Sequence, residues 1–254
     1  MGEVLVTGGT GVLGRRVVAR LVEAGRSPII ASRRAGRGRT VEVRRVDLSD
    51  GTGLPRAMAD IDTVVHLASS PFRRTRRVDV DGTRSVVAAA ADAGVAHLVF
   101  MSIVGVDEIP LRYYKAKREA EAIVAAGAVP WTILRSTEFH QLLSGTLHAV
   151  RWSPLLMIPR GVRLQPVEVD EVAARLVSAV AVGPGGRLAD IGGPQVLGAR
   201  ELVTSWLLAT GRRRPVLGFP SFGGVLQGFK SGANLTDEGD RGTVTWVDHL
   251  GGLS

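Results

Sequence analysis

The run Val6-Thr7-Gly8-Gly9-Thr10-Gly11-Val12-Leu13-Gly14 decides the reading of this chain. Before it stands a short apolar stretch, residues 3–7, which reads as a buried strand. After it, Val12, Leu13, Val17, Val18, Leu21 and Val22 recur at helical spacing and stop at Gly25. Strand, glycine turn and helix in that order form a cradle for phosphate. Glycine allows the tight turn and the close approach of backbone, and the helix start offers unpaired N–H groups. Glycines at 9, 11 and 14 satisfy the Gly-x-Gly-x-x-Gly spacing of dinucleotide sites, and glycines at 8, 11 and 14 are spaced by three. Gly8, Thr10, Gly11, Val12, Leu13 and Gly14 are therefore the expected pyrophosphate contacts.

Working outward, strands and helices alternate. Strands are expected at 28–32, 41–46, 62–68, 97–102 and 131–135, and helices at 81–93 and 112–126. That alternation predicts an α/β fold with a doubly wound parallel sheet of Rossmann type, because parallel strands need helical crossovers. Past residue 136 the pattern loosens. Helices are expected at 138–150, at 170–182 with Asp170 as N-cap, and at 199–210; a strand is expected at 187–191 and a short amphipathic piece around Trp246 and Leu250. The organisation expected is a nucleotide-binding core over 1–135 and a smaller substrate lobe over 136–254, integrated in the same domain.

The second strand ends in Ser32-Arg33-Arg34, and no acid follows until Glu42. An NAD site usually sets a carboxylate on the ribose about 20 residues past the turn. Two guanidiniums suit a 2′-phosphate instead, so NADP(H) is expected over NAD(H). Asp47-Leu48, after the third strand, offers an acceptor for an adenine amino group or a helix cap. Leu67, Ala68 and Ser69 fall at the carboxyl end of the fourth strand, where ligands bind in such sheets.

Bulk composition agrees with a globular protein. Of 254 residues, 45% are hydrophobic and 22% charged, which supplies enough apolar material for a core. The net charge of +8 is carried almost wholly by arginine, with Lys115, Lys117 and Lys230 the only lysines. The arginines are scattered, so a specific nucleic-acid partner is not expected. Without cysteine there are no disulfides, thiol nucleophiles or thiolate metal sites. The five histidines do not cluster with carboxylates at metal spacing, so no metal is expected. No signal peptide, myristoylation signal or membrane span is read, and a cytoplasmic monomer or homodimer is the expectation.

These residues resemble a family. The glycine turn, Asp47-Leu48, His66-Leu67-Ala68, Val78-Asp79-Val80-Asp81-Gly82-Thr83 and Ile133-Leu134-Arg135 with Phe139-His140 look like an atypical or extended short-chain dehydrogenase/reductase, closest to the NmrA-like group. The resemblance runs over most of the chain. It implies a Tyr-x-x-x-Lys pair on a helix and a serine on the preceding strand, matched here by Tyr113, Lys117 and Ser102. Tyr113 would protonate a carbonyl oxygen as hydride arrives, Lys117 would lower its pKa and hold the nicotinamide ribose, and Ser102 would be a second donor. Only ten residues separate Ser102 from Tyr113, fewer than the family usually has, and Tyr114 competes for the pocket. Phe139 and His140 are further pocket candidates. The basic run Phe72-Arg73-Arg74-Thr75-Arg76-Arg77 could clamp an acidic substrate or a cofactor phosphate, with a solvated helix start the preferred reading. The resemblance thus implies an NADPH-dependent oxidoreductase acting on a small carbonyl or quinone-like substrate. The alternatives are a non-catalytic NADP(H) sensor of NmrA type, or an epimerase with tightly bound cofactor.

Overall fold

The computed structural model describes residues 2–33 and 41–252. Arg34 therefore lies outside the described residues. The chain divides into two compact units. The first takes the residues up to 102 with 115–134 and 172–188; the second takes 103–114, 135–171 and 189 onward.

The first unit opens with β1 (Glu3–Thr7), α1 (Val12–Glu23), β2 (Pro28–Ser32), β3 (Val43–Arg45), α2 (Leu54–Ala57) and β4 (Ile61–His66). A π-helical turn, Arg76–Asp81, leads into α3 (Gly82–Asp92), followed by β5 (His97–Ile103), α4 (Arg112–Ala125) and β6 (Trp131–Ser136). The strand order is β6-β5-β4-β1-β2-β3. The pairs β1–β2, β1–β4, β2–β3 and β4–β5 are parallel. This is the doubly wound Rossmann-type arrangement expected from the alternation. The order reverses at β1, so the crevice beyond the carboxyl ends of β1, β2 and β4 is the natural ligand position. Register fixes what arrives there. Thr7 pairs with Ala31 on one side and His66 on the other, so Gly8, Ser32 and Leu67 come next along one edge of the sheet.

Packing explains α1. Its buried residues, Leu13, Gly14, Val17, Val18 and Leu21, repeat at helical spacing on one face. The core beneath the sheet is built from Leu5, Ile29, Val64, Leu98, Phe100 and Ile133 of the strands and Val86, Ala90, Ala120 and Val124 of the helices. Phe100 is the only aromatic among its buried members, which fits the low aromatic content.

In the second unit, Leu156–Pro159 pairs in parallel with Val216–Phe219, and Arg163–Leu164 pairs antiparallel with Leu197–Gly198. Ile191–Gly192 pairs with Ser136 and with Asp240–Arg241. Trp206 and Trp246, both almost wholly enclosed, anchor its core with Leu202, Leu207 and Leu250.

Three expectations need correction. Residues 187–191 are not one strand but two short ones, Gly186–Arg187 and Ile191–Gly192. Asp190 and Ala189 lie between strands in separate units. Asp170 is not the N-cap. The helix Val169–Val182 starts one residue earlier, and Asp170 with Glu171 sits in its first turn, where negative charge complements the helix dipole. The fourth strand stops at His66 rather than Ala68, because beyond it the backbone turns to bond with the Thr7 side chain.

Candidate cofactor site

The glycine turn is closed around itself. Gly8 has φ +69° and its carbonyl accepts from Gly11 N–H at 2.9 Å. A Cβ on Gly8 would stand 2.7 Å from the backbone nitrogen of Ala68, and a Cβ on Gly14 would stand 2.1 Å from the Gly8 oxygen. Only hydrogen fits either place, so the close packing of turn, helix and strand depends on both glycines. Gly11 is the N-cap of α1 and supplies no side-chain bond. The N–H groups of Val12, Leu13 and Gly14 are thus the first-turn donors of the helix. The Val12 side chain is half-exposed and that of Leu13 is packed in the core. Their contribution to an anion is through backbone.

Opposite the turn, the segment after β4 is held by a buried polar chain. Thr7 Oγ1 accepts from the N–H groups of Leu67 and Ala68 and lies 2.6 Å from His66 Nδ1. With its lone pairs so used, the hydroxyl donates to Nδ1. His66 Nε2 then carries the proton and donates to Thr83 Oγ1 at 3.0 Å. Burial, with the nearby Lys117 charge, pushes the His66 pKa down to about 3, so the ring stays neutral. Next along the chain, buried Asp79 accepts from Ser69 Oγ at 2.5 Å and from Ser70 N–H at 2.9 Å.

Between these walls lies a cleft of 860 Å³. It is lined by Gly8, Thr10 and Gly11 of the turn, by Ser32 and Arg33 after β2, by Asp47 and Leu48 after β3, and by Leu67, Ala68 and Ser69 after β4. Ten of the residues expected from sequence therefore converge on one cavity. Arg73 and Arg74 line it too. The run is exposed at every residue but Thr75 and leads into the helical turn, as a solvated helix start should, and Arg76 pairs with Glu119. Arg74 sits at φ +54°, a left-handed backbone that non-glycine residues seldom adopt. The available signal was position: the run follows directly on β4, at the edge where the strand order reverses.

Asp47 is the acid of the cleft. Its Oδ1 accepts from Ser49 N–H at 2.9 Å and Ser49 Oγ at 2.7 Å. Those bonds, more than the fields of Arg33 and Arg74, hold its carboxyl below the ordinary range. It closes a tight turn rather than capping a helix, since α2 begins at Leu54 with Gly53 as its N-cap.

The expected catalytic side chains are placed as follows. Lys117 is buried in the first unit with Nζ 4.1 Å from the Phe100 ring centroid. Burial lowers its pKa to about 8, against the opposing pull of Asp79 and Glu121. Ser102 is buried, and its hydroxyl has no hydrogen-bond partner among the described residues. In the second unit Tyr114 is packed with Val106 and Ile109 and meets Phe229 edge-on at 6.1 Å. Burial raises its pKa, so it stays protonated. Tyr113 is half-buried and meets Tyr114 at 6.3 Å. Phe139 is half-buried and bridges Val167. His140 is wholly enclosed and lies 3.3 Å from Glu168.

The fit to a dinucleotide is direct: a turn that admits no Cβ, helix N–H donors, and arginines along an 860 Å³ cleft. The sequence profile of a family described as NAD(P)H-binding matches residues 8–154. The chain belongs to that NAD(P)H-binding family. With reductases among its relatives, the chain is within that family an oxidoreductase of the atypical short-chain dehydrogenase/reductase group. A (4-alkanoyl-5-oxo-2,5-dihydrofuran-3-yl)methyl phosphate reductase of Streptomyces griseus is 35% identical over 82% of this chain and 74% of its own. An NAD(P)H azoreductase of Xenophilus azovorans is 28% identical over the same shares. A chloroplastic divinyl chlorophyllide a 8-vinyl-reductase of Oryza sativa is 32% identical over 75% of this chain, which spans only 54% of that reductase. Among solved structures, a nucleoside-diphosphate-sugar epimerase from Staphylococcus aureus superposes with TM-score 0.82 at 18% identity, covering 98% of this chain and 99% of that one. MoeE5 in complex with UDP-glucuronic acid and NAD gives 0.75 at 23% identity, covering 88% and 87%. At those identities the structural likeness concerns the fold. Among the described residues, no helix is long and apolar enough to cross a membrane.

Proposed function

We propose that this oxidoreductase uses NADPH in preference to NADH and reduces a small carbonyl or quinone-like acceptor. The observation that carries the cofactor choice is the lining of the cleft. Arg33 arrives from β2, where an NAD site usually has its ribose-binding acid, and Arg73 and Arg74 arrive from the loop after β4. Asp47 responds to both Arg33 and Arg74, which puts two guanidiniums within electrostatic reach of one spot. Arg34, beside Arg33 in sequence, is assigned to the same phosphate.

The reduced nicotinamide supplies the hydride. Tyr113 is assigned the proton transfer to the acceptor oxygen, one helical turn from Lys117 on α4. Tyr114 is unsuited, since its ring is committed to an apolar cluster and its phenol resists ionisation. The Ser102 hydroxyl, without a hydrogen-bond partner among the described residues, is assigned as a second donor. Residues 136–254 are assigned the acceptor side, with Phe139 as a lining residue. The reductases among the relatives support the direction of the chemistry.

The test is turnover of a panel of carbonyls, enones and quinones with NADPH, with NADH beside it. Oxidation of NADPH coupled to product formation supports the reading. Tight NADPH binding without turnover would instead make the protein a sensor. An isomerised product with no net cofactor change would make it an epimerase.

A further inference from the structure

Three side chains that the reductase chemistry does not use meet inside the second unit. His140 opens the helix His140–Ala149, Glu168 immediately precedes the helix Val169–Val182, and His249 lies on the C-terminal helix Trp246–Gly251. The sequence keeps them far apart, and the fold brings one ligating atom of each within 4.8 Å of the others. Glu168 Oε2 is 3.3 Å from His140 Nδ1 and 3.4 Å from His249 Nδ1.

Those two lengths are informative. A hydrogen bond from an imidazole to a carboxylate closes to about 2.7–2.9 Å. Two ligands of one tetrahedral zinc, with bonds of about 2.0–2.2 Å, stand about 3.3–3.6 Å apart. The observed distances match the edge of a coordination tetrahedron.

Proton placement points the same way. Ser144 Oγ lies 3.2 Å from His249 Nε2 and 3.4 Å from the Gln141 carbonyl, so it can accept the Nε2 proton. In that tautomer His249 turns a bare Nδ1 lone pair toward a carboxylate. Two such electron-rich atoms repel unless a cation lies between them. The other carboxylate oxygen, Glu168 Oε1, accepts from Gln141 Nε2 at 2.5 Å, which leaves Oε2 as a single directed donor. Ser144 and Gln141 thus orient ligands as outer partners do in metal sites. Gln141 Oε1 is buried beside them with no hydrogen-bond partner among the described residues. Trp246 closes the apolar side, its ring 5.6 Å from His249 and 5.8 Å from His140.

We propose that His140 Nδ1, His249 Nδ1 and Glu168 Oε2 bind a zinc ion, with water completing the tetrahedron. The ion adds a further tie between three chain segments that the Gln141–Glu168 and Ser144–His249 hydrogen bonds already join. It stabilises the second unit and takes no part in hydride transfer.

The test uses full-length, tag-free protein, stripped with chelator, incubated with zinc and dialysed. Elemental analysis should find about one zinc per chain, and the stripped protein should regain a higher Tm when zinc is added. Glu168→Gln, nearly the same shape, and His249→Gln should each lose the metal while retaining NADPH binding, which certifies that they are folded. Cobalt added to the stripped wild-type chain should give the strong visible bands of a tetrahedral site, a readout independent of any variant. Zinc well below one per chain in the wild type, or zinc unchanged in both variants, overturns the proposal.

Discussion

Gly14 and Gly8 are locked together: a Cβ at residue 14 would stand 2.1 Å from the Gly8 carbonyl oxygen, and that oxygen already accepts from Gly11 N–H. The turn cannot yield without moving α1 away from β1. Gly14→Ala should therefore reduce stability by ~1–3 kcal/mol, the usual cost of overpacking. It should also weaken NADPH binding at least tenfold, because the first-turn N–H groups move with the helix. Denaturant unfolding and a cofactor titration check the two effects separately.

Arg33 and Arg74 carry the next prediction. A charge-assisted hydrogen bond is worth ~1.5–3 kcal/mol. Arg33→Ala or Arg74→Ala should raise the Kd for NADPH by roughly 10- to 100-fold and leave that for NADH within about threefold. Losses shared equally by both cofactors would assign these arginines to the pyrophosphate or to the fold. Isothermal titration with each cofactor separates the cases.

The neighbouring tyrosines differ enough to be told apart. Tyr113→Phe should lower kcat by ~10²–10⁴, the range of a lost general acid, and leave NADPH affinity unchanged. Tyr114→Phe keeps the ring that meets Phe229 and removes only a hydroxyl in an apolar cluster. It should retain activity and shift stability by no more than ~1 kcal/mol. The reverse pattern in steady-state kinetics would hand the acid role to Tyr114.

Much of the cofactor site was legible in the sequence because it depends on local chemistry. Glycines at fixed offsets, a strand before and a helix after, and Ser32-Arg33 at the next strand end all sit in short windows. Periodicity also located α1, β4, α3 and α4 closely. What escaped was assembled from distant segments. Nothing local says that Arg73 lines the cleft while Arg76 pairs with Glu119, since Arg73 lies in the loop before the π-helical turn that Arg76 opens and no single period covers both. The strand pair Leu156–Pro159 with Val216–Phe219 was equally hidden, because four-residue strands among prolines and glycines carry little pattern. His140, Glu168 and His249 look like isolated polar residues until the fold sets them side by side.

Glu138 gives the pH dependence. Burial pushes its carboxyl up to about 7, despite bonds that favour the charged form, the largest of them to backbone. Its Oε2 is buried without a partner among the described residues, while Oε1 accepts from Asn234. The folded state therefore holds a proton that the unfolded chain has released above its ordinary value of 4.5. Between those values the native state binds more protons, so stability falls as pH rises from 4.5 to about 7 and the penalty persists above. Glu138→Gln should remove it. The variant should be more stable than wild type at pH 8, by something on the order of 1–3 kcal/mol, and no more stable at pH 4.5. Urea unfolding at the two pH values reads the difference.

The proposed function requires the glycine turn and its arginines to hold a 2′-phosphorylated dinucleotide. The most direct measurement is a calorimetric titration of the wild-type protein with NADPH and with NADH at the same ionic strength. NADPH should bind at least tenfold tighter, with the advantage shrinking as salt is raised, as expected for guanidinium–phosphate contacts. Equal affinities, or a preference for NADH, would contradict it.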